Sequence, residues 1–152
     1  LYNTVKGPVP IESYTIPFGK ADVKREGNDV TVVGMARTVH QALEAAAQLE
    51  NEGVGVEVVD PRTLVPFDEE TILNSIKKTG RLVVVDEDTP RCSMATDIAA
   101  LVAEKAFFYL DAPIKMVTSL HAPVPFSPVL EAAYLPSVSR IIEAVKATVK
   151  AA

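Results

Sequence analysis

Residues 53–66 read GVGVEVVDPRTLVP, and this stretch decides the fold of the chain. Val54 to Val59 places valines on both faces of one strand, as a strand covered by helices on both sides requires. The proline of the following elbow, Asp60-Pro61-Arg62-Thr63, cannot continue the hydrogen-bond ladder of a sheet, so the chain must turn there. Polar side chains are therefore delivered at the carboxyl end of the strand, where open α/β sheets usually meet ligands and partners.

Further short apolar runs alternate with helical patterns along the rest of the chain. The strands are predicted at residues 20–26, 30–34, 54–59, 81–86 and 114–118. The helices are predicted at residues 38–52, 68–79, 93–109 and 137–149, with a short helix at 129–134. Repeated βα units with valine-rich strands imply an α/β fold, a three-layer α/β/α sandwich around a mostly parallel sheet.

Local signals add detail to several of these elements. The turn at Gly27-Asn28-Asp29, between the first two strands, indicates a β-hairpin. Thr38 and Gln41 have the spacing of a capping box at the start of the first helix. Asp68 is the predicted N-cap of the second helix. The periodicity of the third helix turns Phe108 toward the core.

The first 19 residues contain three prolines before Phe18 and show no helical periodicity. We therefore expect residues 1–19 to form an extended linker arm and residues 20–152 to form the folded domain. The arm carries several large apolar side chains, which do not suit free solvation. Two explanations remain open, since the arm either packs along the domain's own surface or leads in from a preceding domain.

The composition excludes several classes of protein. Of 152 residues, 48% are hydrophobic and 23% are charged, as in an ordinary globular domain, and the formal net charge is −5. Lysine and arginine are not clustered, which argues against a nucleic-acid surface. No apolar run approaches the roughly 18 residues of a membrane span. Cys92 is the single cysteine, so we expect no internal disulfide and a reducing, cytoplasmic location.

Residues that carry chemistry are few and scattered. His40 and His121 lie far apart in the sequence, and with one cysteine they do not make a zinc-type constellation. The sequence contains no glycine-rich phosphate loop. Cys92 precedes a helix N-terminus, but no motif supplies the base that a nucleophile would need. No catalytic, cofactor-binding or metal-binding residue is therefore predicted in this chain.

Better candidates are polar residues that follow the predicted strands. Asp60 and Arg62 follow the central strand, Glu87 follows the next strand, and His121 lies in the proline-rich connection after the last one. A carboxylate near Arg62 would form a bidentate pair. Such a pair either fixes the loops of this rim or lines a face toward another domain or subunit. No nucleophile–base–orienter set can be assembled from these residues.

Three stretches carry a resemblance to a known family. They are LYNTVKGPVPIESYTIPFGKADV at residues 1–23, VDPRTLVPFDEETILNSIKKTGRLVVVDE at residues 59–87, and APVPFSPVLEAAYLPSVSRI at residues 122–141. Together they resemble the C-terminal domain of the beta subunit of thiamine-diphosphate-dependent 2-oxoacid dehydrogenases. These enzymes are the decarboxylase components of the pyruvate, branched-chain and acetoin dehydrogenase complexes. The resemblance covers essentially the whole chain.

The resemblance implies a transketolase C-terminal type of fold, with five strands in a mixed sheet and a first strand that is antiparallel and not in a hairpin. It places thiamine diphosphate and Mg in the parent enzyme and none in this fragment, which is expected to be inactive alone. The implied partners are an alpha subunit, a second beta subunit and the subunit-binding domain of the acyltransferase core. No nucleic-acid or membrane partner is expected.

Docking of this kind would use exposed aromatic side chains of the arm and of the proline-rich loop. The candidates are Tyr2, Tyr14, Phe126 and Tyr134, because aromatics are enriched at interface hot spots. Local packing within the domain is the alternative explanation for each of them.

Two departures from the common family pattern bear on the substrate. Arg91-Cys92-Ser93 stands where a Gly-Gly pair is usual, and His121 stands where an acidic residue is usual. Both features resemble acetoin dehydrogenase sequences more than pyruvate or branched-chain ones. The alternatives to an assembly domain are a stand-alone small-molecule or regulatory binding domain, and a small enzyme that uses the rim residues Asp60, Arg62, Glu87 and His121.

Overall fold

The structure, a computed structural model, describes residues 5–150. The strands are β1 (Asp22–Arg25), β2 (Val30–Gly34), β3 (Val56–Asp60), β4 (Leu82–Val85) and β5 (Lys115–Val117). The helices are α1 (Arg37–Glu50), α2 (Glu69–Thr79), α3 (Met94–Lys105), α4 (Pro128–Tyr134) and α5 (Val138–Val149), with a 3-10 turn at Phe107–Tyr109. This order matches the predicted alternation of strands and helices.

The five strands form one mixed sheet in the order β1-β3-β2-β4-β5. β3, β2, β4 and β5 run parallel to one another, whereas β1 is antiparallel to β3, with Asp22 opposite Asp60. The sheet that the family resemblance implied is therefore confirmed. The hairpin indicated by the local turn signal is wrong, because β1 and β2 are not neighbours.

The turn between β1 and β2 passes over the beginning of β3. The amide of Asp29 donates to the carbonyl of Gly55 at 2.9 Å, and the amide of Gly55 donates to Oδ2 of Asp29 at 2.6 Å. β3 is thereby held between the two strands that the turn joins. Its valines are fully buried, and a strand that is apolar on both faces requires an interior position.

Two apolar cores lie on opposite faces of the sheet. Successive side chains of a strand point to opposite faces, so β4 contributes Val83 and Val85 to one core and Leu82 and Val84 to the other. The first core is closed by α1 and α5, and the second by α2 and α3. The predicted three-layer sandwich is confirmed, and the carboxyl ends of β2, β3 and β4 emerge at one edge of it.

The start of α2 is tied to the root of the arm by one carboxylate. Oδ1 of Asp68 accepts a hydrogen bond from the amide of Thr71 at 3.2 Å, so Asp68 is the N-cap, as predicted. Oδ2 of Asp68 accepts from the amide of Ala21 at 2.9 Å and from the hydroxyl of Thr71 at 2.8 Å. One buried side chain therefore holds both a helix end and the chain segment that enters β1.

Replacing Asp68 with alanine should lower the free energy of unfolding by about 1.5 kcal/mol, because the N-cap is lost and the amide of Ala21 loses its acceptor. Asp68→Asn keeps a side-chain oxygen and should lose less. Urea denaturation at pH 7 measures both differences.

The charge of Asp68 adds a pH dependence to this prediction. Burial opposes ionisation, but hydrogen bonds from Ala21 and Thr71 outweigh it and hold the pKa of Asp68 below its ordinary value. Ionisation therefore stabilises the fold above the unfolded pKa of about 3.9, and this contribution is lost as the pH falls through the lower folded pKa. The difference between wild type and Asp68→Asn should shrink in acid, and a gap that stays constant would contradict this explanation.

The capping box predicted at Thr38 and Gln41 is wrong. α1 begins one residue earlier, and the hydroxyl of Thr38 accepts from the amide of Met35 at 2.7 Å and donates to the carbonyl of Val85 at 3.0 Å. Nε2 of Gln41 donates to the carbonyl of Pro136 at 3.0 Å. Both side chains join distant segments to α1, and such partners are not visible in a local sequence window.

The third helix ends at Lys105, four residues before the predicted end. Ala106 leaves the helical region with φ −133°, and Phe107–Tyr109 continue as a 3-10 turn. The change of geometry rotates the following side chains, so Phe108 is 96% exposed instead of facing the core. The prediction for Phe108 is therefore wrong.

The arm does not bury its side chains on the domain. Residues 5–18 are all exposed, including the apolar side chains of Val9, Ile11, Tyr14 and Phe18. The arm becomes anchored at Gly19, whose amide donates to Oγ1 of Thr63 in the elbow at 3.0 Å. Packing along the domain's own surface, one of the two open explanations, is thus not observed for residues 5–18.

Candidate functional site

The elbow after β3 presents Asp60 and Arg62 at the edge of the sheet. Oδ1 of Asp60 accepts from the amide of Arg62 at 2.9 Å, which closes a tight polar turn. The guanidinium of Arg62 reaches β1 instead of Asp60, where its Nη2 contacts Oδ2 of Asp22 at 2.5 Å. The expected bidentate pair is wrong, because the partner carboxylate is approached through one nitrogen only.

Asp22 is the centre of this ion cluster. Nζ of Lys24 also contacts Oδ2 of Asp22, at 2.6 Å. The hydrogen bond from Lys24 and the nearby charge of Arg62 hold the pKa of Asp22 below its ordinary value. Asp22 contacts both cations and thereby joins β1 to the elbow. A second carboxylate, that of Asp60, brings the local count to two negative and two positive charges, which leaves little positive charge for a ligand. The sequence offered no signal for Asp22, whose role depends on the pairing of β1 with β3.

A second ion pair lies at the carboxyl end of β4. Oε1 of Glu87 contacts Nη1 of Arg37, at the start of α1, at 3.3 Å. The hydroxyl of Ser119 donates to the carbonyl of Glu87 at 2.6 Å, so the loops after β4 and β5 are joined. His121 follows in the same connection and is exposed.

The two ion pairs share one edge of the sheet but do not contact each other. Asp60 and Arg62 follow β3, Glu87 follows β4, and β2 lies between them, which separates the strands by roughly 9–10 Å. Within residues 5–150, no group of three or more His, Cys, Asp or Glu side chains is arranged to hold a metal ion. The contacts described at this edge join neighbouring loops and strands to one another.

Three non-glycine residues of the described chain have positive φ, and all three lie in loops at this same edge. They are Ala36 after β2 (φ 50°), Arg62 after β3 (φ 59°) and Cys92 before α3 (φ 54°). A side chain at positive φ is strained by contact with the backbone. The rim loops are therefore held in shape by the surrounding structure and not by local preference.

Ala36 offers a direct test of this strain, since its backbone (φ 50°, ψ −111°) is one that glycine adopts far more easily. We expect Ala36→Gly to raise the free energy of unfolding by about 1 kcal/mol. Ala47→Gly, at an exposed position inside α1, should instead lower it by about 1 kcal/mol. Urea denaturation of both variants measures the sign of each change in the free energy of unfolding. A lower stability in both variants would contradict the strained backbone at Ala36.

The aromatic candidates separate into exposed and buried residues. Tyr14 is exposed in the arm, and Phe126 is fully exposed in the proline-rich loop. Tyr134 is only 5% exposed, so it belongs to the interior of the domain, and its proposed place on a docking surface is corrected. Tyr2 lies outside the described residues. An open cleft of about 470 Å³ lies between the end of the arm, at Ile16 to Phe18, and the elbow.

A further exposed apolar surface was missed by the sequence reasoning. The side chains of Phe107, Phe108 and Tyr109 in the 3-10 turn are each at least half exposed. Met116 of β5 is also exposed. The early end of α3 places these side chains outside, whereas a continued helix would have turned one of them inward. The sequence signal that could have indicated this surface is the pair of adjacent phenylalanines just before the helix-breaking Asp111-Ala112-Pro113.

None of the helices in the described part of the chain is long and apolar enough to cross a bilayer. A family model, described as the transketolase C-terminal domain, matches residues 19–141. The chain belongs to the transketolase C-terminal domain family. The family resemblance and the fold inferred from sequence are confirmed.

Several relatives of this transketolase C-terminal domain are named as beta subunits. It is 60% identical over 141 residues to the acetoin:2,6-dichlorophenolindophenol oxidoreductase subunit beta of Bacillus subtilis, covering 93% of the chain and 41% of the relative. It is 53% identical to the same-named subunit of Cupriavidus necator, and the match covers 96% of the chain and 43% of the relative. It is 43% identical to the pyruvate dehydrogenase E1 component subunit beta of Rhizobium meliloti, covering 90% and 30%. The chain spans less than half the length of these relatives.

Solved structures show the same fold. A split-gene transketolase, described as an inactive beta4 tetramer, superposes with a TM-score of 0.77 at 29% identity, over 95% of this domain and 46% of that chain. A 2-oxoglutarate:ferredoxin oxidoreductase from Magnetococcus marinus superposes with a TM-score of 0.57 at 14% identity. The superposition covers 86% of this domain and 19% of that chain. The second likeness concerns the fold alone.

Proposed function

We propose that the chain is the C-terminal assembly and docking domain of the beta subunit of a thiamine-diphosphate-dependent dehydrogenase of the acetoin type. The observation that carries this proposal is the 60% identity to a subunit named for acetoin, over 93% of the chain. The domain would support the oxidative cleavage of substrate and acyl transfer to lipoyl groups by holding subunits together. We further propose that it works in the cytoplasm.

The catalytic cofactor is proposed to lie in other parts of the enzyme. Thiamine diphosphate carries a diphosphate with Mg²⁺, which requires a set of oxygen ligands around the metal. The carboxylates of Asp22, Asp60 and Glu87 do not fit that need, because each already contacts a cationic side chain or a backbone amide of this chain. We therefore derive no catalytic step from this chain.

The surfaces proposed for the alpha subunit and the acyltransferase core are the arm and the proline-rich loop. Tyr14 in the arm and Phe126 in the loop are exposed, as are Val124 and Leu130 beside Phe126. Apolar side chains in such numbers are unusual on a surface that faces only water. The net charge of −5 favours a basic partner, such as a subunit-binding domain, and accelerates encounter more than it strengthens binding.

The preference for acetoin over pyruvate or a branched-chain 2-oxoacid rests on two observations. Identities to the acetoin-named subunits are 60% and 53%, against 43% for the pyruvate-named subunit of Rhizobium meliloti. The second is the sequence resemblance of Arg91-Cys92-Ser93 and His121 to acetoin dehydrogenases. The substrate pocket itself is proposed to lie outside this chain.

A chimera tests the proposal. The corresponding part of the Bacillus subtilis acetoin:2,6-dichlorophenolindophenol oxidoreductase subunit beta is replaced by this chain, and acetoin-dependent dye reduction is measured with the alpha subunit. We expect most of the activity to be retained. A matched chimera of a pyruvate dehydrogenase E1 component subunit beta should lose more activity or assembly. A folded acetoin-type chimera that binds no alpha subunit would overturn the proposal.

The alternative, a stand-alone small-molecule or regulatory domain, depends on the cleft between the arm and the elbow. Arg62 and Lys24 line this cleft together with Ile16 and Phe18. Both cations already contact Asp22, which argues against an anion site there. Calorimetric titration of the chain with small phosphates or carboxylates should show no binding, and micromolar binding that is lost in Arg62→Ala would favour the alternative.

A further inference from the structure

We propose that a groove at the end of α3 binds a small organic cation, namely an ammonium that carries an aromatic or other apolar substituent. The groove lies between the last turn of α3, the 3-10 turn and the segment that enters β5, and it is called the α3–β5 groove here. This inference goes beyond the proposed function and does not depend on it.

The α3–β5 groove has the size and the apolar character of a small-molecule site. Its volume is about 670 Å³, within the range of about 300–1,000 Å³ that is usual for ligand pockets. Its lining consists of Ala103, Phe107, Phe108 and residues 110–114. Among the described residues, Asp111 supplies the one charged side chain of this lining. A ligand that fills the groove is therefore largely apolar and carries one charge.

Two aromatic rings of the lining are placed to attract a cation. The rings of Phe107 and Phe108 meet edge to face, with centroids 5.5 Å apart and planes at 83°. Both side chains are exposed, so a ligand in the corner between the rings can reach a face of each. The face of an aromatic ring carries partial negative charge and attracts ammonium groups.

The 3-10 turn already holds one ammonium in this way. Nζ of Lys77, in the last turn of α2, lies 5.7 Å from the centroid of the Tyr109 ring. This distance is within the roughly 6 Å over which a cation and a ring attract each other. The folded chain therefore contains an internal example of the contact that the ligand would make with Phe107 and Phe108.

The carboxylate of Asp111 provides the complementary charge. Asp111 lines the groove and forms no salt bridge with any side chain in residues 5–150. Its amide donates to the carbonyl of Gly80 at 2.8 Å, and a Cβ at Gly80 would collide with its Oδ2. The carboxylate thus occupies space that the glycine leaves open. It lies beside the carboxyl end of α2, which carries partial negative charge of its own.

Other ligand classes fit the α3–β5 groove less well. Asp111 would repel an anion, and a neutral apolar ligand would cover the carboxylate without giving it a partner, which costs free energy. A metal ion would not use the apolar walls, and the part of the chain that the structure describes has no group of three or more His, Cys, Asp or Glu arranged to hold one. Lys77 and Lys115 are nearby cations, but neither lines the groove.

Titration of the chain with benzyltrimethylammonium chloride, followed by the amide shifts in NMR spectra, tests the site. We expect saturable binding with a dissociation constant on the order of 1 mM, as a ligand of this size allows, and the largest shifts within residues 103–114. Phenylacetate carries the same ring with the opposite charge, and tetramethylammonium lacks the ring. At the same ionic strength, both should bind at least about tenfold more weakly.

Conservative variants separate the two contributions. Asp111→Asn removes the charge and keeps the shape, and it should raise the dissociation constant of benzyltrimethylammonium about fivefold. Phe108→Leu keeps an apolar side chain without a ring and should raise it about threefold. Glu104→Gln removes a charge from the last turn of α3 outside the groove lining, and it should change the constant less than about twofold. Urea denaturation shows which variants remain folded, and the exposed position of Phe108 keeps its variant usable.

Several results would overturn the inference. They are the absence of binding, phenylacetate that binds as tightly as benzyltrimethylammonium, shifts that fall outside residues 103–114, and a dissociation constant that neither Asp111→Asn nor Phe108→Leu changes. Titrations at two chain concentrations identify a different occupant. We expect the same constant at both, whereas a constant that rises with chain concentration would mean that another copy of the chain covers the groove, which also overturns the inference.

The result is separable from the test of the proposed function. The chimera reports catalytic assembly with an alpha subunit, whereas the titration reports binding of a small cation to this chain alone. An active chimera together with a chain that does not bind benzyltrimethylammonium would leave the proposed function standing and remove this site.

Discussion

Gly27→Ala is expected to lower the free energy of unfolding by about 3 kcal/mol, at the upper end of what overpacking costs. A Cβ at Gly27 would lie 2.2 Å from the carbonyl carbon of Val56 and 2.4 Å from the amide nitrogen of Glu57. These atoms belong to the backbone of β3, so no side-chain rotation relieves the contact. The turn between β1 and β2 would have to move off β3 and weaken the pairing of β1.

Gly7→Ala is the matched control for this prediction. Within the described chain, no heavy atom lies within 4 Å of the Cβ that this change adds. Its effect on stability should be within about 0.5 kcal/mol. Urea denaturation of the two variants compares them, and hydrogen exchange of the β1 amides should show earlier opening in Gly27→Ala. Equal stabilities would mean that the turn does not cross β3 as described.

Lys78→Met is expected to cost about 2–3 kcal/mol, because it leaves a buried carboxylate without its cation. Glu57 lies in β3 and is 2% exposed. Its Oε1 accepts from the hydroxyl of Ser75 at 2.6 Å, and its Oε2 pairs with Nζ of Lys78. A fully buried pair would lose about 3–5 kcal/mol, but Lys78 is 38% exposed and water replaces part of its contribution.

The pKa of Lys78 belongs to the same contact. Burial opposes its charge, but hydrogen bonds to Glu26 and Glu57 raise the pKa of Lys78 above its ordinary value. Its stabilising contribution is therefore complete below the unfolded pKa and is lost as the pH rises through the higher folded pKa. At neutral pH the ammonium is fully charged, so urea denaturation at pH 7 measures the whole effect of Lys78→Met.

Lys105→Met is the control, since Lys105 forms a contact of 2.5 Å with Glu69 in which both side chains are nearly half exposed. Pairs of this kind contribute little to stability, so the variant should behave as wild type. The double variant Glu57→Gln with Lys78→Met should lose less than the sum of the single changes, because no buried charge remains. Equal losses of stability in Lys78→Met and Lys105→Met would contradict the explanation that the burial of Glu57 makes its ion pair important.

Much of the fold was predictable because it is encoded in local patterns. The valines of β2, β3 and β4 mark strands that are buried on both faces, and helices must cover both faces of such a sheet. Asp68 caps α2 as predicted, since an N-cap interacts with residues only three positions away, and Ser137 caps α5 in the same way. The family resemblance added the antiparallel β1, which local signals had assigned to a hairpin.

The candidate site was predicted less well, because it depends on neighbours that are distant in sequence. Arg62 was expected near a carboxylate, but its partner is Asp22, which lies 40 residues earlier and is brought close by the pairing of β1 with β3. Phe108 was expected in the core but is exposed, whereas Tyr134 was a candidate for an exposed docking surface but is buried. The Glu57–Lys78 pair gave no signal at all in the sequence.

The sequence by itself determined the α/β class, the order of the elements and the family, since each depends on periodicity, capping or a contiguous motif. The tertiary structure alone decided the position of β3 between β1 and β2, the partners of Arg62 and Glu57, and the faces that remain exposed. The physical reason is the range of the interactions. Local propensities act over a few residues, whereas burial and charge pairing depend on which distant segments the folded sheet brings together.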